Sequence, residues 1–289
     1  MSRDTWRDRA LALSARYGAR PFLALPVPWQ VQRLGMNLSA PRPLRMPGQS
    51  EVPGRIGGVP CLTVAPEVPR GTLIWLHGGA FVLGSPRNYR SLAHGLAARS
   101  GWRVILPDYR LAPEHPFPAG LEDCVAAIRA QAAEGAFALG GDSAGGTLAL
   151  ASLGLLLPEG VRPTHLVLAS PACDLRLDRP PPDACDEMLL PQRLLRRAAR
   201  DYLAGADPTD PRASPINARF DGAPPTLIQA ARGEWLERDA DAIAERLRSF
   251  GAPVRVEKET GVPHVWQLAV GRTPKADRAV DSMAAFLRE

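Results

Sequence analysis

Gly141-Asp142-Ser143-Ala144-Gly145-Gly146 follows a short apolar run ending near Leu139 and opens a helical pattern at Ala144. This is the strand, turn and helix form of G-x-S-x-G, in which the serine occupies the tip of a sharp turn in a strained backbone conformation. Its neighbours two places to either side must be small, and Gly141 and Gly145 meet that demand. A serine so placed projects its oxygen at the carboxyl end of a sheet, with a helix N-terminus behind it that favours developing negative charge. The pentapeptide alone is a weak signal, so its surroundings decide its meaning.

Outward from this turn, apolar runs of strand length alternate with longer helical patterns. Residues 72–76, 103–106, 137–139, 165–169, 225–229 and 254–257 read as strands, most of them apolar on both faces. Such runs belong to buried, largely parallel sheets. Between and after them, 89–100, 121–133, 144–157, 238–250 and 275–287 carry helical periodicity and enough length for a crossover. The series predicts an α/β sandwich with a mostly parallel central sheet. Two regions break the rhythm. Residues 1–45 read as one or two amphipathic helices broken at Arg20-Pro21, and residues 174–215 are proline-rich at both ends around a helical stretch from Met188 to Leu203. Both are expected to form a helical cap, the first as an N-terminal segment and the second as an insertion in a catalytic domain spanning 46–289.

A second element lies directly after the first buried strand. In His77-Gly78-Gly79-Ala80-Phe81, two adjacent glycines let the backbone fold so that N–H groups converge on one spot, as an oxyanion requires. The expected donors are the N–H groups of Gly78, Gly79 and Ala144, with His77 bracing the loop. A serine nucleophile also needs a base, and in this kind of fold the chain order is serine, acid, histidine. His77, His94 and His115 precede Ser143, and His165 opens a predicted core strand, so His264 remains, in a Gly/Pro-marked loop. The orienting acid should leave the loop after strand 225–229. Glu234 comes first there and follows a glycine, whereas Asp239 lies in the next helix, where solvation or capping is enough to account for it. Glu234 is the expected acid and Asp239 the alternative.

With these residues assembled, the sequence resembles the bacterial hormone-sensitive-lipase-like carboxylesterases, in the branch whose elbow reads Gly-Asp-Ser-Ala-Gly. His77 to Phe81, Asp108-Tyr109-Arg110-Leu111-Ala112-Pro113-Glu114, Phe117-Pro118-Ala119, Gly141 to Gly146 and His264 follow the family's order and spacing over roughly residues 70–289. The resemblance implies an α/β-hydrolase fold with a cap and hydrolysis of short- to medium-chain acyl esters, without cofactor or metal. It also brings homodimers built through the last strand and helix, here 254–257 and 275–287, although the chain itself fixes no oligomeric state. One departure stands out: many members carry aspartate, often followed by Pro-Leu, where this chain has Glu234-Trp235-Leu236. Asp142 and the Asp108-Tyr109-Arg110 stretch are expected to brace loops near the oxyanion turn. The same machinery also suits an amide, lactone or carbamate. A non-catalytic small-molecule receptor on this fold is disfavoured by Ser143 and His264 occurring together.

Composition narrows the remaining classes. The chain has 289 residues with 35 Lys+Arg against 30 Asp+Glu, a net charge of +5. The excess is almost all arginine and is interleaved with acids, unlike the concentrated basic surface of a nucleic-acid binder. The first residues offer no apolar signal-peptide core and no stretch is long enough to span a bilayer, so a cytoplasmic enzyme acting on a small-molecule ester is expected. Cys61, Cys124, Cys173 and Cys185 lack metal or disulfide spacing. Met188, Leu189, Leu190, Phe22 and Trp29 are candidates for an apolar pocket wall. Arg193, Arg196, Arg197 and Arg200 recur at helical spacing as a basic stripe. It either faces solvent, pairs with Asp183, Asp186 and Glu187, or meets an anionic substrate group.

Overall fold

The computed structural model describes residues 3–39, 43–44, 46–176 and 185–289. At its centre lies one eight-stranded sheet in the order β1-β2-β4-β3-β5-β6-β7-β8. The strands are Gln49–Ile56 (β1), Val59–Pro66 (β2), Thr72–Leu76 (β3), Arg103–Pro107 (β4), Ala138–Asp142 (β5), Leu166–Ala169 (β6), Thr226–Ala231 (β7) and Val254–Glu259 (β8). β2 pairs antiparallel with β1 and β4, and all other pairings are parallel. The six runs read as strands from sequence are β3 to β8. β3, β5, β6 and β7 are buried at every position, which is why they are apolar on both faces.

Crossover helices cover both faces. Arg90–Ser100 (α4) and the final helix Pro274–Phe286 (α9) lie on one side. Their Leu92, Leu96, Val280 and Met283 pack with Leu73, Trp75, Val104 and Leu227. Ala119–Glu134 (α5), Ala144–Leu156 (α6) and Glu237–Ser249 (α8) lie on the other, where Ile128, Leu148 and Ile243 pack with Ile74, Leu76, Leu139 and Ile228. Leu73 and Trp75 thus face one core while Ile74 and Leu76 face the other, the two-residue period of a strand. Each such fully buried side chain contributes about 1.5–3 kcal/mol.

The hairpin of β1 and β2 carries no comparable sequence signal. In β1 only Ile56 is buried, so no apolar alternation marks it. Its one clue is Gly57-Gly58, both at positive φ (56° and 81°), the requirement of a tight two-residue hairpin turn.

The odd regions also differ from expectation in detail. The chain stays helical through Arg20-Pro21: Arg3–Ser14 (α1) runs into a π turn at Ala15–Ala19 and then Arg20–Leu23 (α2). Arg20 N–H reaches Ala15 O across that turn, and the proline falls at the start of the following helical turn, where its missing donor is tolerated. The break comes later, at Pro26 and Pro28, before Trp29–Ser39 (α3). In the second region the helix is Gln192–Leu203 (α7), starting four residues later than Met188 because Pro191 precedes it as its cap. The proline-rich 177–184 lies outside the described residues. The two regions meet each other. Trp29 Nε1 donates to Asp201 Oδ2 at 2.7 Å, the Arg197 guanidinium stacks 3.8 Å from the Trp29 ring centre, and Arg197 donates to Val27 O. Among the described residues, no helix is long and apolar enough to cross a membrane.

Candidate active site

Ser143 follows β5 and precedes α6 with φ 51° and ψ −122°, a conformation that costs on the order of 1–3 kcal/mol for a non-glycine residue. The turn is held by Ser143 N–H to Ala169 O, at 3.0 Å, and by Thr147 N–H and Ala172 N–H, which both donate to Ser143 O. Its glycines are required by close backbone approach. A Cβ on Gly141 would fall 2.5 Å from Gly145 O, and one on Gly145 only 2.0 Å from Leu76 O.

His264 and Glu234 meet as the sequence predicts. His264 Nδ1 lies 2.6 Å from Glu234 Oε2, and both side chains are buried. The other oxygen, Oε1, accepts from Ser170 Oγ at 2.6 Å and Ala231 N–H at 2.8 Å, so both carboxylate oxygens are engaged. The alternative acid, Asp239, accepts Cys173 N–H on its Oδ2 at 3.0 Å. Burial disfavours a charged His264, but the adjacent Glu234 carboxylate, with Glu187 and Asp142 farther out, outweighs it and raises the imidazole above its ordinary value. The next residue, Val265, holds a left-handed φ of 51°, rare for a β-branched side chain, at the turn that presents His264.

The glycine loop after β3 departs from expectation at one atom. Gly78 N–H is already committed, donating to Tyr89 Oη at 2.8 Å, so it has no proton to offer an oxyanion. Tyr89 in turn donates to Asp142 Oδ2 at 2.6 Å, and Trp75 Nε1 donates to Asp142 Oδ1 at 3.0 Å. Asp142 therefore braces the glycine loop, with burial pushing its carboxyl up to about 6. Gly78 is still needed, because a Cβ there would fall 2.3 Å from Asp142 Oδ2. Gly79 sits at φ 128°, and its O accepts from both Val82 and Leu83 N–H. His77 is fully buried and stacks on Tyr109 at 4.2 Å, while Tyr109 Oη donates to His77 O at 2.6 Å. Burial pushes the His77 imidazole down to about 4, so it stays neutral and structural.

Two cavities meet at Ser143. One, about 790 Å³ including its open mouth, is lined by Phe81, Ala172, Trp235 and Leu236, with Gln192, Arg196 and Arg238. The other, about 690 Å³, is lined by His264, Gly79, Leu23, Met36, Leu189 and Leu190 among others. Of the expected wall residues, Leu189 and Leu190 are present, but Trp29 is spent on the cap interface. The arginine stripe divides. Arg197 packs on Trp29, Arg196 borders the first cavity, and Arg193 and Arg200 are exposed. Asp186 pairs with Arg16 instead of the stripe, Glu187 accepts backbone N–H groups, and Asp183 lies outside the described residues. Among the described residues the four cysteines form no disulfide, and no cluster of potential metal ligands occurs.

A family model for the alpha/beta hydrolase fold matches residues 73–268. The chain belongs to that family. This α/β-hydrolase is 40% identical over 232 residues to an acetyl-hydrolase of Streptomyces hygroscopicus, covering 75% of each chain. It is 34% identical over 243 residues to an esterase of Acinetobacter venetianus, covering 81% of this chain and 80% of the other. It superposes on the hormone-sensitive-lipase homologue EstE7, from a metagenome library, with a TM-score of 0.88 at 32% identity over 97% of both chains. It is an ester hydrolase of the bacterial hormone-sensitive-lipase-like group.

Tyr89 and Ser170 were not legible as site residues. Tyr89 stands twelve positions after His77 with no motif around it. Ser170 had one faint signal, its place just past the carboxyl end of a buried strand, the edge where such sites assemble.

Proposed function

We propose that this chain hydrolyses short- to medium-chain carboxylic esters through an acyl-serine intermediate, with Ser143 as nucleophile, His264 as base and Glu234 as the acid that orients it. The observation that carries this reading is the buried 2.6 Å contact of His264 Nδ1 with Glu234, together with a cavity that both His264 and Ser143 line. Ser143 Oγ attacks the ester carbonyl as its proton passes to His264 Nε2. The resulting oxyanion is stabilised by the N–H groups of Gly79, Ala80 and Ala144. Ala80 takes the place first expected of Gly78, because Gly78 N–H is bound to Tyr89 and the donor must come from the next residues of the same turn. His264 then passes the proton to the departing alcohol, and water activated by the same imidazole releases the acid.

The proton transfer also orients the substrate. The leaving alcohol must sit beside His264, so it belongs in the cavity that His264 lines, and the acyl group in the other. Residues 1–45 and 174–215 act as the cap that supplies Leu23, Met36, Leu189 and Leu190 to the alcohol side. The name of the Streptomyces relative, an acetyl-hydrolase, favours the short end of the acyl range.

The test is Ser143→Ala on a chromogenic short-chain ester. Turnover should vanish while the thermal melt stays close to that of the parent chain. Retained turnover refutes the mechanism.

A further inference from the structure

One buried carboxylate near the site has no part in the chemistry above. Glu187 lies in the segment between the undescribed stretch and α7 and is 5% exposed. Its Oε1 accepts Leu189 N–H at 2.7 Å and Leu190 N–H at 2.8 Å, and its Oε2 accepts Trp235 N–H at 3.0 Å. A buried carboxylate with three backbone donors is well compensated, and each charge-assisted bond is stronger than a neutral one. What those donors belong to is informative. Leu189 and Leu190 wall the proposed alcohol cavity, Trp235 walls the acyl cavity, and Trp235 directly follows Glu234.

The adjacent residue completes a clamp. Asp186 N–H donates to Gly233 O at 2.8 Å, so the cap segment grips the chain on both sides of Glu234, at the carbonyl before it and the N–H after it. From the opposite side, Arg20 donates to Glu187 O at 3.0 Å and Arg16 pairs with Asp186. The N-terminal segment, the cap insertion and the acid's loop are thus joined in series to His264.

We propose that Glu187 is a positioning residue that couples the seating of the cap to the geometry of the Glu234–His264 pair. The proposal rests on the triad reading above. Moving the cap segment would shift Leu189, Leu190 and Trp235 together, altering both substrate cavities and the carboxylate behind the base in one step. Glu187 also faces the imidazole electrostatically. The acids acting on His264 are Glu234, Glu187 and Asp142, while Arg20, Arg16 and Asp186 lie around Glu187 itself. Neutralising Glu187 therefore removes one of the negative charges that keep His264 basic.

The experiment compares Glu187→Gln and Glu187→Ala with the parent chain, measuring kcat, KM and the pH profile of kcat/KM on a neutral chromogenic ester, with thermal melts alongside. The glutamine keeps the volume and can still accept from Leu189 and Leu190, but it cannot keep the charge. The expected result is a folded Glu187→Gln whose kcat falls at least tenfold and whose acid limb moves to lower pH. Glu187→Ala should lose more in kcat and also raise KM, because both cavity walls are released. A purely structural residue would change the melt without moving the acid limb. The proposal is overturned if Glu187→Gln is folded and matches the parent in kcat, KM and acid limb. Should Glu187→Ala fail to fold, the near-isosteric glutamine still decides the matter. Ser143→Ala separates the two readings: if it remains active, the triad reading fails, and if it is inactive while Glu187→Gln behaves as the parent, only this proposal fails.

Discussion

His264 Nδ1 and Glu234 Oε2 lie 2.6 Å apart with both side chains less than 5% exposed, while Asp239, the other acid of the same loop, is turned away to bind Cys173 N–H. The pairing assigns the two carboxylates different work. Glu234→Gln should lower kcat by about 10³–10⁴-fold, the scale seen when the acid of such a triad no longer holds the base's tautomer. Asp239→Asn should change kcat by less than tenfold. Steady-state kinetics on one short-chain ester distinguishes them, and the reverse ranking would make Asp239 the orienting acid.

The pH dependence has a definite sign. His264 must be neutral to accept the Ser143 proton, and Glu234 raises its affinity for a proton above that of an ordinary histidine, whose value is 6.5. The protonated, inactive form therefore persists to higher pH than usual. The acid limb of kcat/KM should have its midpoint above 6.5, with activity lost as pH falls through it. A midpoint below 6.5 would mean that burial outweighs the carboxylate.

Tyr89 links the oxyanion turn to Asp142. Tyr89→Phe removes the acceptor of Gly78 N–H and one donor to Asp142 in a dry environment, which should cost about 1–3 kcal/mol of stability. Because the turn carries the proposed oxyanion donors, kcat should fall with little change in KM. Thermal denaturation and kinetics on the same preparation check both, and an unchanged melt would show the link to be slack.

The cavity assignment separates alcohol from acyl preference. Leu189→Trp, on the side lined by His264, should narrow tolerance for bulky alcohols and leave the acyl-length profile unchanged. Arg196 borders the acyl side but is exposed, and exposed ion pairs contribute only about 0–1 kcal/mol. Arg196→Gln should therefore change the preference for a carboxylate-bearing acyl group by less than about fivefold. A parallel ester screen reads both effects.

What the sequence revealed tracks how strongly local chemistry constrains it. β3 to β8 were legible because strands buried on both faces leave unbroken apolar runs. β1 was not, because seven of its eight positions are at least partly exposed and its pairing rests on backbone hydrogen bonds. Ser143 and His264 could be singled out because a strained elbow demands glycines at fixed offsets and chain order leaves one histidine. The occupied N–H of Gly78 was not legible, because its partner, Tyr89, comes from a separate segment eleven residues on, with no pattern to announce it. Glu187 reads from sequence only as a partner for the arginine stripe, and for the same reason: its actual donors come from its own turn and from a loop 48 residues away. Arg20-Pro21 reads as a helix break, yet the π turn ahead of it absorbs the proline, which only the assembled backbone reveals.

The most direct test of the account is covalent trapping with a fluorophosphonate, followed by peptide mass mapping. The predicted result is a single adduct on Ser143 that blocks ester turnover in proportion to labelling and is strongly slowed in Glu234→Gln. An adduct at another residue, or full turnover by an enzyme labelled to completion at Ser143, would contradict it.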